Sequence, residues 1–117
     1  MDIASIALKL LLAVALGGLI GLERESSQKP AGFRTNILIC TGSTMMMILS
    51  SLILGQGEAT AGDFTRVAAA VITGMGFIGA GSIIQARGAV YGLTTAATLW
   101  TVAGLGLVIG AGFYIER

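Results

Sequence analysis

Residues 21–36 read GLERESSQKPAGFRTN and form the densest group of charges in the chain. The sequence has seven basic and six acidic side chains, and five of them lie between Glu23 and Arg34. Long apolar runs flank this segment on both sides. Charges are costly inside the hydrocarbon of a bilayer, so a segment of this kind is typical of a turn between two membrane-spanning helices. We therefore expect the chain to enter the lipid bilayer on each side of it.

The composition also indicates an integral membrane protein. Hydrophobic residues make up 55% of the chain and charged residues 11%, with a mean hydropathy of +0.89. Soluble domains average about 25% charged residues. The net charge of +1 gives no electrostatic basis for binding nucleic acid. A single cysteine, Cys40, and the absence of histidine exclude a disulfide framework, a cysteine–histidine zinc site and a histidine-based triad.

The apolar runs predict an all-α bundle of four transmembrane helices in a single domain, residues 1–117. About 20 helical residues cross the ~30 Å hydrocarbon core. The predicted spans are residues 3–23, 34–54, 66–86 and 92–114. Lys9 lies within two turns of the start of the first span, so we expect it to reach the headgroups as an anchor.

The distribution of basic residues predicts an orientation. If the helices alternate, one membrane face carries Arg24, Lys29, Arg34 and Arg87. The positive-inside rule places that face in the cytoplasm and both termini outside.

Small residues at helical spacing predict close contacts between helices or between copies of the chain, as in a homodimer. The predicted packing positions are Gly17, Gly21, Gly74, Gly76, Ala80, Gly81, Gly106 and Gly110. On the third helix, the stripe Ala69, Thr73, Gly76 and Ala80 is expected to face the bundle, with Val71, Met75 and Ile78 toward lipid. Residues 74–79 spell GxGxxG, but no strand precedes them, so we do not expect a nucleotide site.

Two sets of polar residues are candidates for function. The first, a candidate polar cluster or partner contact, consists of Glu23, Arg24, Glu25, Arg34, Thr35, Asn36 and Arg66. It either anchors the helices at the interface or contains a carboxylate–arginine cluster that joins Glu23 or Glu25 to Arg34. The second, a candidate cavity lining, consists of Thr94, Thr95, Thr98, Trp100 and Thr101. Trp100 is interpreted either as a packing residue or as a cavity wall. No metal site or cofactor is predicted. The spans contain no nucleophile–base pair, so we do not expect an enzyme.

Three segments resemble the signatures of the MgtC/SapB family of membrane proteins. They are residues 17–25 with 30–35, residues 66–69 with 74–81, and residues 92–97 with Trp100, Ala103, Gly106 and Gly110. The resemblance implies a multi-pass protein of the bacterial inner (plasma) membrane. It also implies a role in virulence and growth at low magnesium through binding of membrane proteins, including the proton-translocating ATP synthase, rather than through magnesium transport.

The chain departs from the family pattern in identifiable places. Family members commonly have glutamine at the position of Ala70. The family core usually has a fifth span, and members of the MgtC type add a soluble C-terminal domain, both of which would follow Arg117. We expect a non-enzymatic regulator of membrane partners. The alternative is a small transporter or channel for a cation such as magnesium, or for a lipid-like solute.

Overall fold

The computed structural model describes residues 2–54, 61–86 and 88–112. In this part of the chain the elements are α1 (Ile3–Ser26), α2 (Phe33–Leu54), α3 (Ala61–Gly81), β1 (Ile84–Ala86), β2 (Ala89–Tyr91) and α4 (Leu93–Ala111). Each of the four helices is long and apolar enough to cross a membrane. The predicted bundle of four transmembrane helices is confirmed.

The third span differs from its predicted limits. α3 begins at Ala61 rather than at residue 66, and Asp63 in its first turn has a favourable interaction with the helix dipole. α3 ends at Gly81 because the following residues form an antiparallel hairpin, in which Ile84 lies opposite Tyr91. The hairpin was not predicted. Residues 113–114 of the last predicted span, together with Arg87 and Arg117, lie outside the described residues.

Gly92 connects the hairpin to α4 and has a backbone that only glycine adopts easily. Its φ is +90°, and a Cβ at this position would overlap the carbonyl oxygen of Ser82. A residue with a side chain would therefore suffer both backbone strain and a collision. The close approach of Ser82 and Gly92 brings the C-terminal end of α3 beside the start of α4.

α1 packs on α2 through two glycines one helical turn apart. A Cβ on Gly17 would lie 2.9 Å from the carbonyl oxygen of Asn36, and a Cβ on Gly21 would lie 2.6 Å from the Cα of Phe33. No larger residue fits at such distances. The bare faces of these glycines let the two backbones approach directly, as is common between helices in membranes.

α4 packs on α2 in the same way, further along the face of α2 that meets α1, and Cys40 lies in both contacts. A Cβ on Gly110 would lie 2.7 Å from the carbonyl oxygen of Thr44. A Cβ on Gly106 would overlap the carbonyl oxygen of Cys40. The buried hydroxyl of Thr44 lies 2.9 Å from the carbonyl oxygens of both Cys40 and Gly106. One face of α2 thus packs on both α1 and α4, and its buried Thr44 hydroxyl is satisfied within the bundle.

α3 packs through a face different from the predicted one. Met75 is 4% exposed and lies in a cluster with Leu99 and Ala103, and a Cβ on Gly79 would lie 3.6 Å from the Cβ of Ala96. The expectation that Met75 points to lipid is wrong. Its flexible thioether side chain fills the space beside α4, which a row of small residues would leave empty.

The small-residue stripe of α3 accordingly lies on the outside of the chain. Ala69, Thr73, Gly76 and Ala80 are all exposed, and a Cβ on Gly76 would meet nothing within 4 Å. Gly74 and Gly81 are similarly open. Within one chain, the predicted contact of this stripe with the bundle is therefore wrong.

Lys9 also differs from its predicted role as an interfacial anchor. The residue is 7% exposed, and its Nζ donates a hydrogen bond to the carbonyl oxygen of Gly110 at 3.0 Å. That carbonyl belongs to the last turn of α4, where a cation complements the negative end of the helix dipole. Lys9 therefore links α1 to the C-terminal end of α4 instead of extending to the headgroups.

Candidate functional site

A buried arginine lies where α1 ends and where α2 and α4 begin. Arg24 is 5% exposed. Its Nη2 donates hydrogen bonds to the carbonyl oxygen of Pro30, at 2.9 Å, and to the hydroxyl of Thr95. One guanidinium thus joins α1, the loop after it and the first turn of α4. We call this end of the bundle the polar end.

The inward direction of Arg24 follows from helical spacing. Gly17, Gly21 and Arg24 are separated by four and three residues, so all three lie on one face of α1. The two glycines bring that face against α2. Arg24 comes one turn later and is directed under the loop, where it meets the carbonyl of Pro30. This spacing was the available signal for Arg24 as the inward-facing charge.

Asn36 fixes the loop that covers Arg24. Its Nδ2 donates hydrogen bonds of 2.8 Å to the carbonyl oxygens of both Ala31 and Gly32, and the residue is 0% exposed. Ala31 has a φ of +57°, a left-handed conformation that is uncommon for alanine. Such strain persists where the surrounding structure overdetermines it. The side chain of Asn36, held in the first turns of α2, supplies that restraint.

Two atoms of this cluster have unused hydrogen-bonding capacity. Arg24 Nε and Asn36 Oδ1 are both buried and have no hydrogen-bond partner. The first is a donor and the second an acceptor. Each such atom left unpaired in the interior costs about 1–3 kcal/mol. The polar end therefore combines a firmly anchored charge with atoms whose hydrogen bonding is incomplete.

The acidic residues beside Arg24 do not enter the cluster. Glu23 and Glu25 are exposed, and Glu23 Oε2 accepts a hydrogen bond of 3.0 Å from the hydroxyl of Ser27. Within the described part of the chain, neither acid forms an ion pair with Arg34, which is also exposed. The hypothesis of a carboxylate–arginine cluster at these positions is therefore not met. Arg24, which lies between Glu23 and Glu25, points into the bundle, so both acids point outward.

Two other residues of the predicted cluster lie apart from Arg24. Thr35 is exposed on the first turn of α2. Arg66 is exposed near the start of α3, at the opposite end of the bundle, and pairs with Asp63 at 3.4 Å. The structure thus brings together Arg24 and Asn36 from the predicted set and adds Thr95, which was expected to line a cavity.

The threonine face of α4 forms the wall of a shallow groove rather than of an enclosed cavity. Thr94, Thr98 and Thr101 border an open space of about 260 Å³ beside Ile20 of α1. The hydroxyls of Thr98 and Thr101 each donate at 2.8 Å to a carbonyl oxygen four residues earlier in their own helix. Such bonds satisfy a hydroxyl without a ligand.

Trp100 does not line the groove on the threonine face. It is 50% exposed and belongs to another side of α4. Among residues 2–54, 61–86 and 88–112, no group of three histidine, cysteine, aspartate or glutamate side chains is placed to hold a metal ion.

Comparison with known proteins identifies the family. The model described as "MgtC family" matches residues 10–116, nearly the whole chain. The chain belongs to the MgtC family. No solved structure shows significant similarity to it.

Several MgtC-family relatives are similar over most of this chain. "Putative magnesium transporter YhiD" of Escherichia coli (strain K12) is 43% identical over 95% of the chain and 53% of its own length. "Protein MgtC" of Brucella abortus (strain 2308) is 46% identical over 86% of the chain and 40% of its own length. "Protein SapB" of Bacillus subtilis (strain 168) is 44% identical over 95% of the chain and 50% of its own length. The chain thus spans about half the length of these MgtC-family relatives.

Proposed function

We propose that this MgtC-family chain is a non-enzymatic protein of the bacterial inner membrane that regulates partner membrane proteins through helix–helix contact. The proposed context is adaptation to low magnesium or virulence. The observation that supports this proposal is the outward-facing small-residue stripe of α3, which we call the outer face of α3: Ala69, Thr73, Gly76 and Ala80.

The outer face of α3 has the residue types that form close helix contacts elsewhere in this chain. Gly17 and Gly21 admit α2 against α1, and Gly106 and Gly110 admit α2 against α4. On the outer face of α3, Gly76 has open space instead of a neighbour. In lipid no hydrophobic effect drives one helix against another, so helices associate through close packing, which small residues allow. A helix of a partner, or of a second copy of this chain, would gain packing contacts there.

The proposal can be tested by changing the outer face of α3 without changing the chain's own packing. A tagged chain is expressed beside an untagged copy and the ATP synthase, and co-purification of each is measured. We expect Gly76→Ile to reduce recovery of the partner at least tenfold. Gly104→Ile is the matched control, because a Cβ on Gly104 of α4 also meets nothing within 4 Å. Equal recovery with both variants and the original chain would contradict the proposal.

Transport of a cation is the second candidate function. It is supported by the name of YhiD, which refers to magnesium transport, and by the hydroxyl-bearing groove that Thr94, Thr98 and Thr101 border. The purified chain in proteoliposomes should then carry magnesium ions, and the exposed Arg34 offers a variant that leaves the bundle intact. Magnesium flux that is lost on Arg34→Ala would favour transport, and the absence of flux would favour the regulator.

A further inference from the structure

An apolar groove separates α2 from α3. It has a volume of about 490 Å³, and its walls include Leu38, Gly42 and Met46 of α2 with Gly74 and Ile78 of α3. We call it the α2–α3 groove. Its size falls within the ~300–1,000 Å³ range of small-molecule sites. The groove is open along one side, so a ligand could enter it laterally from the bilayer.

Two glycines leave the α2–α3 groove unfilled. A Cβ added to Gly42 or to Gly74 would meet nothing within 4 Å. Four glycines that face α2 behave differently, because a Cβ on any of them would come within 3 Å of a backbone atom of α2. They are Gly17, Gly21, Gly106 and Gly110. On either side of the α2–α3 groove, the missing side chains therefore create space for another molecule instead of drawing the helices together.

A basic residue, Arg34, lies on α2 one helical turn before Leu38, the first residue of α2 that lines the α2–α3 groove. Arg34, Leu38, Gly42 and Met46 follow one another at intervals of four residues, so they form a continuous row along α2. The row extends about 18 Å at 1.5 Å per residue. This is comparable with one leaflet, which is half of the ~30 Å hydrocarbon core. Arg34 therefore lies near the level at which a lipid headgroup would lie if the acyl chain followed the row.

Arg34 is available to an anion. It is exposed and, within the described part of the chain, it forms no ion pair. The neighbouring Thr35 is exposed as well and contributes a hydroxyl donor to the same turn. A guanidinium beside a hydroxyl can hold phosphate oxygens by charge-assisted hydrogen bonds.

We propose that the α2–α3 groove binds one acyl chain of an anionic phospholipid, with the phosphate held by Arg34 and Thr35. The apolar walls of the groove suit an acyl chain, and the positive charge of Arg34 suits a negatively charged headgroup. The outer face of α3, where we propose that a partner binds, is on the opposite side of that helix. The lipid site is therefore a separate site from the partner surface.

The charge of the headgroup should determine part of the affinity. A basic residue near a membrane surface favours anionic over zwitterionic lipid by about fivefold. We would add phosphatidylglycerol or phosphatidylcholine with identical acyl chains to the full chain purified in detergent and count bound lipid by native mass spectrometry. We expect about fivefold preference for phosphatidylglycerol. Arg34→Gln should reduce the preference to near one, while Arg66→Gln, at the opposite end of α3, should leave it unchanged.

The proposed binding of the acyl chain is tested by filling the α2–α3 groove with a side chain. Gly74→Leu places a side chain in open space within the groove and should reduce binding of both lipids at least tenfold. Gly76→Leu is the matched control, because Gly76 is equally open but lies on the opposite face of the same helix. Its lipid binding should equal that of the original chain, even if it loses a protein partner.

Three results would overturn the lipid site. The first is unchanged lipid binding in Gly74→Leu, and the second is an equal loss of binding in Gly76→Leu. The third is a change of oligomeric state in Gly74→Leu without loss of lipid, which would show that a second copy fills the groove. Because the partner experiment uses Gly76→Ile, failure of the lipid site leaves the proposed function untouched.

Discussion

The guanidinium of Arg24 on α1 donates a hydrogen bond to the hydroxyl of Thr95 on α4, 71 positions later in the chain. Both residues are buried. A hydrogen bond to a charged group contributes about 1.5–3 kcal/mol, and more is lost if the charge is left without its partner. This pair fastens the ends of two helices whose middle portions are each packed against α2.

Removing the hydroxyl of Thr95 should destabilise the protein. Thr95→Val keeps the shape of the side chain but deprives buried Arg24 of an acceptor, so we expect a loss of about 2 kcal/mol in the free energy of unfolding. The measurement is reversible unfolding in mixed detergent–SDS micelles. Thr98→Val is the control, because the hydroxyl of Thr98 bonds only to the carbonyl of Thr94 in its own helix. A loss of equal size in both variants would contradict the interpretation.

The close contact of α4 with α2 predicts opposite effects for two alanine substitutions on α4. Gly110→Ala places a Cβ 2.7 Å from the carbonyl oxygen of Thr44, and overpacking of this kind costs about 1–3 kcal/mol. Gly104→Ala meets nothing within 4 Å and should instead stabilise α4 by up to about 1 kcal/mol, since alanine is the better helix former. Thermal unfolding of the two variants in detergent would show whether their midpoints move in opposite directions.

Glycine should be required more strictly at Gly92, where the hairpin joins α4, than at Gly88 within the hairpin. Gly92→Ala combines a φ of +90° with overlap of the Ser82 carbonyl oxygen. Gly88→Ala has only the strain of a φ of +76°, about 1–2 kcal/mol, because a Cβ there meets nothing within 4 Å. We expect Gly92→Ala to reduce the yield of folded protein, measured by size-exclusion chromatography, far more than Gly88→Ala does. Similar yields would contradict the proposed collision.

The N-terminal cap of α1 should depend on pH. Asp2 Oδ1 accepts a hydrogen bond of 2.9 Å from the backbone N–H of Ser5. This backbone hydrogen bond, followed by one with the side chain of Ser5, lowers the pKa of Asp2 below its ordinary value of 3.8. A carboxylate with a lowered pKa stabilises the fold above its unfolded-state pKa and loses that effect as the pH falls through the folded-state pKa. Amide exchange at Ser5 should therefore lose protection in acid.

A matched pair of variants separates the cap from the charge of Asp2. Asp2→Asn retains an oxygen acceptor, so protection of the Ser5 amide should remain and become independent of acid. Asp2→Ala removes the acceptor, so protection should be low at every pH. Protection that falls equally in the two variants would contradict a capping role.

The four spans could be predicted because each is an apolar run long enough to cross a bilayer. The direction of Arg24 could also have been predicted from its four- and three-residue spacing with Gly17 and Gly21. The acids on either side of it, Glu23 and Glu25, favoured the alternative of a surface ion-pair cluster. The partnership of Arg24 with Thr95 could not be predicted, because it joins residues that are far apart in sequence and depends on the order in which the helices pack.

The face through which α3 packs on α4 could not be predicted from the sequence, for a physical reason. The helix has two usable faces, one with small residues and one with Met75 and Val71, and in lipid either face can be exposed without hydrophobic cost. The hairpin after α3 was missed because residues 82–86 carry no charge and so extend the uncharged run of α3. In the described residues, the pairing of β1 with β2 and the left-handed backbone at Gly88 and Gly92 distinguish it from a longer helix.

The position of α3 has a thermodynamic consequence. Its two opposite sides adjoin the two proposed ligands, a partner helix on the outer face and a phospholipid in the α2–α3 groove. If one ligand shifts or tilts this helix and so alters affinity for the other, linkage requires the effect to be reciprocal and equal in magnitude. Membrane lipid composition would then adjust the strength of regulation, and the partner would in turn select which lipids surround the protein.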